Sequence, residues 1–190
     1  MKRAALSFLI LPILAVASAK AQTRAVAVEF QINKITKSLI ASPQYAHGGA
    51  QPYESNLEER WLEVEVEFAA APAWTDELTV KYFVLLGGKL LSGEVTHVNV
   101  PAGRDRRSVI YLPPRTLTHF VGTRNLVPNT VQNVAVQLLQ GGAVKSELSL
   151  ERATPRWYLA SAPLAGFLLN KNETPFAPLY WDRYEQIKSR

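Results

Sequence analysis

Three glutamates, Glu63, Glu65 and Glu67, recur at every second position of WLEVEVEF (61–68), the densest set of chemistry-capable side chains in the sequence. On an extended strand, alternate side chains share a face about 6.8 Å apart. Two neighbouring carboxylates at that spacing could hold calcium or divide acid and base work between them. A strand face turned to water has the same pattern, and the solvated face is the reading taken here. His47, His97 and His119 stand singly, and each reads as a surface or hydrogen-bonded residue instead of a ligand or base. The chain has no cysteine, which removes disulfides, thiolate zinc sites, iron–sulfur clusters and cysteine nucleophiles together. It also lacks a Gly-rich phosphate loop, a Gly-x-Ser-x-Gly elbow and a His-Glu-x-x-His pair. The sequence therefore predicts no enzyme, no cofactor and no metal.

The C-terminal aromatic residues are the stronger candidates for binding. Trp157, Tyr158, Phe167, Phe176, Tyr180, Trp181 and Tyr184 crowd into a Pro-containing stretch without sustained alternation. Trp157, Tyr158, Tyr180, Trp181 and Tyr184 could form a platform that stacks sugar rings or docks a partner protein, since Trp and Tyr offer large contact area at low entropic cost. Alternatively, the rings cap an open edge or end of the fold. Asn172-Glu173-Thr174 matches the short N-glycosylation triplet, with Pro175 following.

Charge narrows the partners further. Met1-Lys2-Arg3, the apolar run Ala4–Ala17 and Ala19-Lys20-Ala21 have the layout of a cleaved secretory leader covering residues 1–21. The apolar run, broken by Pro12, is shorter than the roughly 20 residues that cross hydrocarbon. The reading is export to the periplasm, the outer surface or beyond, with no membrane span after cleavage. Losing the leader removes three basic residues and no acidic one, so the net charge falls from +5 to +2. Arg104, Arg106 and Arg107 are the one basic cluster, interrupted by Asp105 and set beside Gly103 as if in a solvated loop. No stripe of basic residues exists to displace counterions, so nucleic acid is not an expected partner.

The elements that must position these residues read as strands. Ala25–Lys37 alternates through Val26, Val28, Phe30 and Ile32, then shifts parity to Ile35, which predicts a bulge or a strand end. Residues 41–56 form a loop, and 60–68 a strand with one wet face, as antiparallel sheets allow. Ala69–Glu77 reads as a connection, Leu78–Leu86 as a central strand, and Gly87-Gly88 as a two-residue hairpin into Lys89–Val100. Gly93 suggests an irregularity, Pro101–Gly103 a stop, and Ser108–Leu112 a short strand closed by Pro113-Pro114. Leu117–Pro128 is ambiguous. Val131–Gln140 and Ala143–Arg152 pair across Gly141-Gly142, and Asp182–Lys188 could form one or two helical turns. About seven short strands and no convincing amphipathic helix predict an all-β fold, a two-layer antiparallel β-sandwich over 22–152, with a closed barrel as the competing architecture. Residues 153–190 form an extension wrapped onto it.

Several stretches together resemble a group of small exported immunoglobulin-like proteins associated with bacterial type IV pilus gene clusters. They are Trp61–Phe68, Trp74–Leu78 running into Lys81–Leu86, Ser92–Thr96, Arg107–Leu112, and the tail segments Thr174–Ala177 and Trp181–Tyr184. The resemblance covers most of residues 25–185. It implies an immunoglobulin-like sandwich without known catalysis, a role in surface fibres, adhesion or their assembly, and a protein partner at the cell surface or in the periplasm. A glycan is the other candidate partner. The chain departs from antibody-type domains in lacking an inter-sheet Cys pair and a Tyr near the start of the presumed sixth strand.

Overall fold

The computed structural model describes residues 28–45, 59–122, 127–151 and 156–189. The leader, His47 and the first residues of the strand predicted at 25–37 lie outside these. Strand β1 runs Phe30–Ala41, β2 Arg60–Leu86 and β3 Lys89–Leu112; helix α1 (Pro114–Val121) precedes β4 (Val131–Gln140) and β5 (Ala143–Ser149). Two-residue strands, β6 (Leu164–Ala165) and β7 (Leu169–Asn170), come from the C-terminal segment.

The fold is an antiparallel β-sandwich made by folding one sheet over. Strand β2 is 27 residues long and β3 is 24, so each serves both layers. One layer contains β1, the first half of β2 and the second half of β3. The other contains β5, β4, the second half of β2 and the first half of β3. The predicted break at Ala69–Glu77 is instead a bend within β2, where the register slips between Phe68 and Ala70 and again between Ala70 and Trp74. Pro72 falls inside that slip, where no ladder hydrogen bond is required of it. The predicted stop at Pro101–Gly103 is likewise the matching bend in β3, and Ser108–Leu112 is the continuation of that strand.

Period two sends one set of side chains inward from both layers. Phe30, Leu62, Val64, Val66 and Phe68 from one layer share a core with Leu78, Val80, Val84, Val134 and Val136 from the other. Strand β1 keeps Phe30, Ile32 and Ile35 buried by slipping register between Ile32 and Lys34, so the parity change marks a real bulge at Asn33. Both Gly-Gly pairs are two-residue hairpins with positive φ at each glycine, as sequence predicts. The ambiguous stretch contains α1, with Pro114 in its first turn, Leu117 in the core and Gly122 as a left-handed C-terminal cap.

The side of the sandwich formed by β3 is closed by the C-terminal segment. Leu164–Ala165 pairs with Leu91–Ser92 on one layer, and Leu169–Asn170 pairs with Ile110–Tyr111 on the other. Between them Leu168 enters the main core. Gly93 makes room for it: a Cβ there would sit 2.7 Å from Leu168 Cβ and 2.7 Å from Ile110 Cδ1. Gly93 is thus not an irregularity in β3 but the notch that admits the tail. Residues Gln186–Lys188 run antiparallel to Thr96–Val98 instead of coiling into the helical turns suggested for 182–188.

Gly93→Ala should lower the unfolding free energy by about 1–3 kcal/mol, because the new methyl would overlap Leu168 Cβ, which is fixed directly to the tail backbone, and the Ile110 side-chain tip, which is buried in the core. In a Leu168→Ala background the same change should cost clearly less, a coupling that urea titration of the four proteins in the cycle would measure.

Candidate binding site on the C-terminal segment

The outer faces of the two layers carry apolar rows that strand parity alone leaves in water. On one, Trp61, Val109 and Tyr111 lie beside Glu63 and Glu65; on the other, Phe83, Leu90 and Ala135 form a patch. The tail covers both. Tyr158 stacks on Phe83 with ring centroids 4.3 Å apart and is buried, and Trp157 packs edge-on to Tyr158 while its indole N–H donates to Ser149 Oγ. Phe176 stacks on Tyr111 at 4.7 Å and meets Trp61 edge-on at 5.5 Å.

The glutamate row is not the solvated face expected from its spacing. Glu65 accepts from Arg183 Nε and Nη2 at 2.8–3.1 Å, from Arg107 Nη1 at 2.7 Å and from the Tyr184 hydroxyl at 2.8 Å. Burial works to raise its pKa, but the bonds from Arg183, Tyr184 and Arg107 together outweigh this and hold the carboxyl below its ordinary range. Glu63 accepts from the Tyr111 hydroxyl, and there burial prevails and raises the carboxyl. Glu67 pairs with Arg107 at 2.9 Å. The arginine cluster, expected in a loop, is part of β3: Arg106 folds over Gly103 to reach Glu185, and Arg107 bridges Glu65 and Glu67. These charges hold the tail to the sheet.

Beneath this layer is a polar chain that the sequence does not reveal. His97 is buried at 1% exposure, with Nε2 2.7 Å from Ser108 Oγ and Nδ1 3.0 Å from the Glu185 carbonyl; the Tyr82 hydroxyl donates to Ser108 at 2.7 Å. A carbonyl can only accept, so Nδ1 carries the proton, Ser108 donates to Nε2, and the ring is neutral. Burial pushes the His97 pKa down to about 4, against the raising pull of the tail carbonyls. The Ser–His distance is that of a nucleophile and its base, but Ser108 is 0% exposed and no substrate can reach its oxygen. His119 lies on α1, edge-on to Phe120. Among the described residues no group of three or more His, Asp or Glu is placed to hold a metal ion.

Two of the five binding candidates remain in solvent. Trp157, Tyr158 and Tyr184 are built into the sandwich surface, whereas Tyr180 is 64% exposed and Trp181 80%. They sit on a turn closed by Arg183 N–H donating to the Tyr180 carbonyl, with Tyr180 in the left-handed region at φ 51°. The Arg183 fork onto Glu65 fixes the end of that turn. Asn172 and Glu173 of the glycosylation triplet lie in a short 3₁₀ turn, Lys171–Glu173, capped by Asn170 and followed by Thr174 in extended conformation, with Asn172 exposed.

A folded-over antiparallel sheet sealed by its own C-terminal segment, carrying an aromatic turn on the outside, defines an all-β sandwich module. A protein-family model matches residues 21–190, and the chain belongs to that immunoglobulin-like family. It is similar in fold to a crystal structure of a protein from Akkermansia muciniphila, with a TM-score of 0.72 and 23% identity over 85% of this chain and 94% of that one. No curated protein matches the sequence. Among the described residues no helix is long and apolar enough to cross a membrane.

His97 gives the fold a defined acid response. Its folded pKa lies below the unfolded value of 6.5, so its contribution is complete above about pH 6.5 and is lost as pH falls toward about 4. That interval corresponds to about 3 kcal/mol. Raised Glu63 and Glu185 act in the opposite sense and offset part of it. Urea titrations at pH 4 and 7 should therefore differ less for His97→Gln than for the wild type.

Proposed function

We propose that the protein is an exported, non-enzymatic component of the bacterial cell envelope with a structural, adhesive or assembly role. In this reading it is linked to type IV pili and acts by holding a protein partner at the cell surface or in the periplasm. The supporting observation is the Tyr180-Trp181 turn, in which two large rings stand in water while Arg183 and Glu65 keep their backbone in place. Rigid exposed aromatic groups lose little entropy on binding, and Trp and Tyr dominate the energetics of protein interfaces. The leader-like residues 1–21 support export, and the resemblance to proteins from pilus gene clusters supplies the setting.

The second reading is a carbohydrate-binding module, favoured by the same adjacency, because neighbouring exposed Trp and Tyr rings can stack on a sugar. Of the original platform only Tyr180 and Trp181 serve it, since Tyr158 is already stacked within the protein and Trp157 packs against it. Neither reading calls for a cofactor, a metal or nucleic acid.

Trp181→Ala should change the unfolding free energy by less than about 0.5 kcal/mol, whereas Tyr158→Ala should cost about 3 kcal/mol. In cells, the wild-type protein should accompany sheared surface appendages and Trp181→Ala should shift to the soluble pool. A variant that stays with the appendages, or a wild-type protein found only in the soluble pool, would count against the pilus-linked reading. Quenching of Trp fluorescence by polysaccharide, lost in Trp181→Ala, would favour the glycan reading.

A further inference from the structure

We propose that residues 168–188 exchange between copies of this chain, each copy laying its C-terminal segment along β3 of another. The inference stands apart from the aromatic turn and rests on how the segment is attached. From Leu168 onward it docks as one unit: Leu168 in the Gly93 notch, Phe176 on Tyr111, Arg183 on Glu65, Glu185 on Arg106 and Ile187 beside His97. Its backbone adds to β3, with Val98 N–H donating to the Gln186 carbonyl at 2.9 Å and Lys188 N–H to the Thr96 carbonyl at 2.8 Å.

The connection to this unit is of a different kind. Every residue from Leu159 to Phe167 is exposed, although Tyr158 before it and Leu168 after it are buried. This bridge contains Pro163 and also Gly166 at φ 86°, and it contributes only the two-residue pairing of Leu164–Ala165 to the sheet. If the bridge extends, the docked unit can keep every contact from Leu168 onward while belonging to a different molecule. The second copy is the fitting occupant because β3 offers this segment a matched notch, a matched ring stack and matched charges. Exchange costs association entropy and the bridge's own contacts, the Leu164–Ala165 pairing and the edge-on packing of Phe167 on Phe120, so it depends on concentration. Reciprocal exchange closes a pair, and onward exchange builds an open run of copies. Salt screens the ion pairs from Arg183, Glu185 and Lys188 and eases release.

The absence of native cysteine allows a direct test. Two full-length chains of different tag mass would carry Val98→Cys and Gln186→Cys respectively, at positions facing each other across the β3–tail ladder. They would be mixed at several hundred micromolar, loosened briefly in high salt and mild urea, returned to buffer and oxidised. The expected result is a mixed-mass disulfide at least tenfold above that formed when Lys145→Cys replaces Val98→Cys. The double variant Val98→Cys/Gln186→Cys should close within one chain at low concentration. Closure in that control without mixed-mass product would overturn the proposal. Independently of cysteine chemistry, the unmodified chain after the same treatment should show dimers or larger species by light scattering, and monomer alone would overturn it.

Discussion

The structure depends on a constraint set by β3. A 24-residue strand that pairs with β2 along one side would, without the C-terminal segment, present its other side to solvent in both layers of the sandwich. Unpaired backbone groups over such a length invite pairing with other chains. The opposite side has a different solution, since β1 and β5 approach one another there, with Ile32 N–H donating to Ser146 Oγ and Lys145 pairing with Glu29. On the β3 side the C-terminal segment supplies what a further strand would otherwise provide. The short pairings at Leu91–Ser92 and Ile110–Tyr111, and the run beside Thr96–Val98, cover pieces of the edge in turn.

Covering that edge by sheet pairing alone would leave the segment weakly held, because two-residue strands offer few hydrogen bonds. Three other kinds of contact compensate. Leu168 buries apolar surface in the shared core, Phe176 and Tyr158 complete apolar patches on the outer faces, and Glu65 collects two arginines and a tyrosine. The last is stronger than an ordinary surface pair because the Glu65 side chain is only 12% exposed and the Arg183 fork is bidentate. His97 serves the same end through hydrogen bonding, giving the Glu185 carbonyl a donor that is itself fixed by Ser108 and Tyr82. A neutral chain of this sort satisfies buried polar atoms without burying a charge, and it ties the tail to one register.

Much of the fold was legible because one face of each strand is dry. Leu62, Val64, Val66 and Phe68 announce the core, the parity change after Ile32 marks the bulge at Asn33, and the two Gly-Gly pairs locate the hairpins. The continuity of β2 and β3 was hidden because Pro72, Pro101 and Gly103 look like punctuation. Proline and glycine end a strand when the ladder needs their N–H or side chain, but at a bend where register slips they shape it instead. The glutamate row misled for a related reason. Alternation shows which residues share a face, and Glu63, Glu65 and Glu67 do share one, but it cannot show that Arg183 and Tyr184, more than a hundred positions away, return to cover that face. Trp61 and Tyr111 on the same face were the available hint, since large rings there require a cover.

The same reasoning separates the aromatic residues that the tail contains. A ring in this segment has two possible environments, the sheet surface beneath it or the solvent above, and the docking points decide between them. Phe176 and Tyr184 lie where β3 and Glu65 offer a stack and an acceptor, so both turn inward. Tyr180 and Trp181 fall between those anchors, on the turn that must reverse the chain so that Arg183 can reach Glu65. The left-handed conformation of Tyr180 belongs to that reversal, and it places the following indole away from the sheet. Their exposure is therefore a consequence of how the tail closes the sandwich, and the anchors that seal the β3 edge also fix the position of the rings left in solvent.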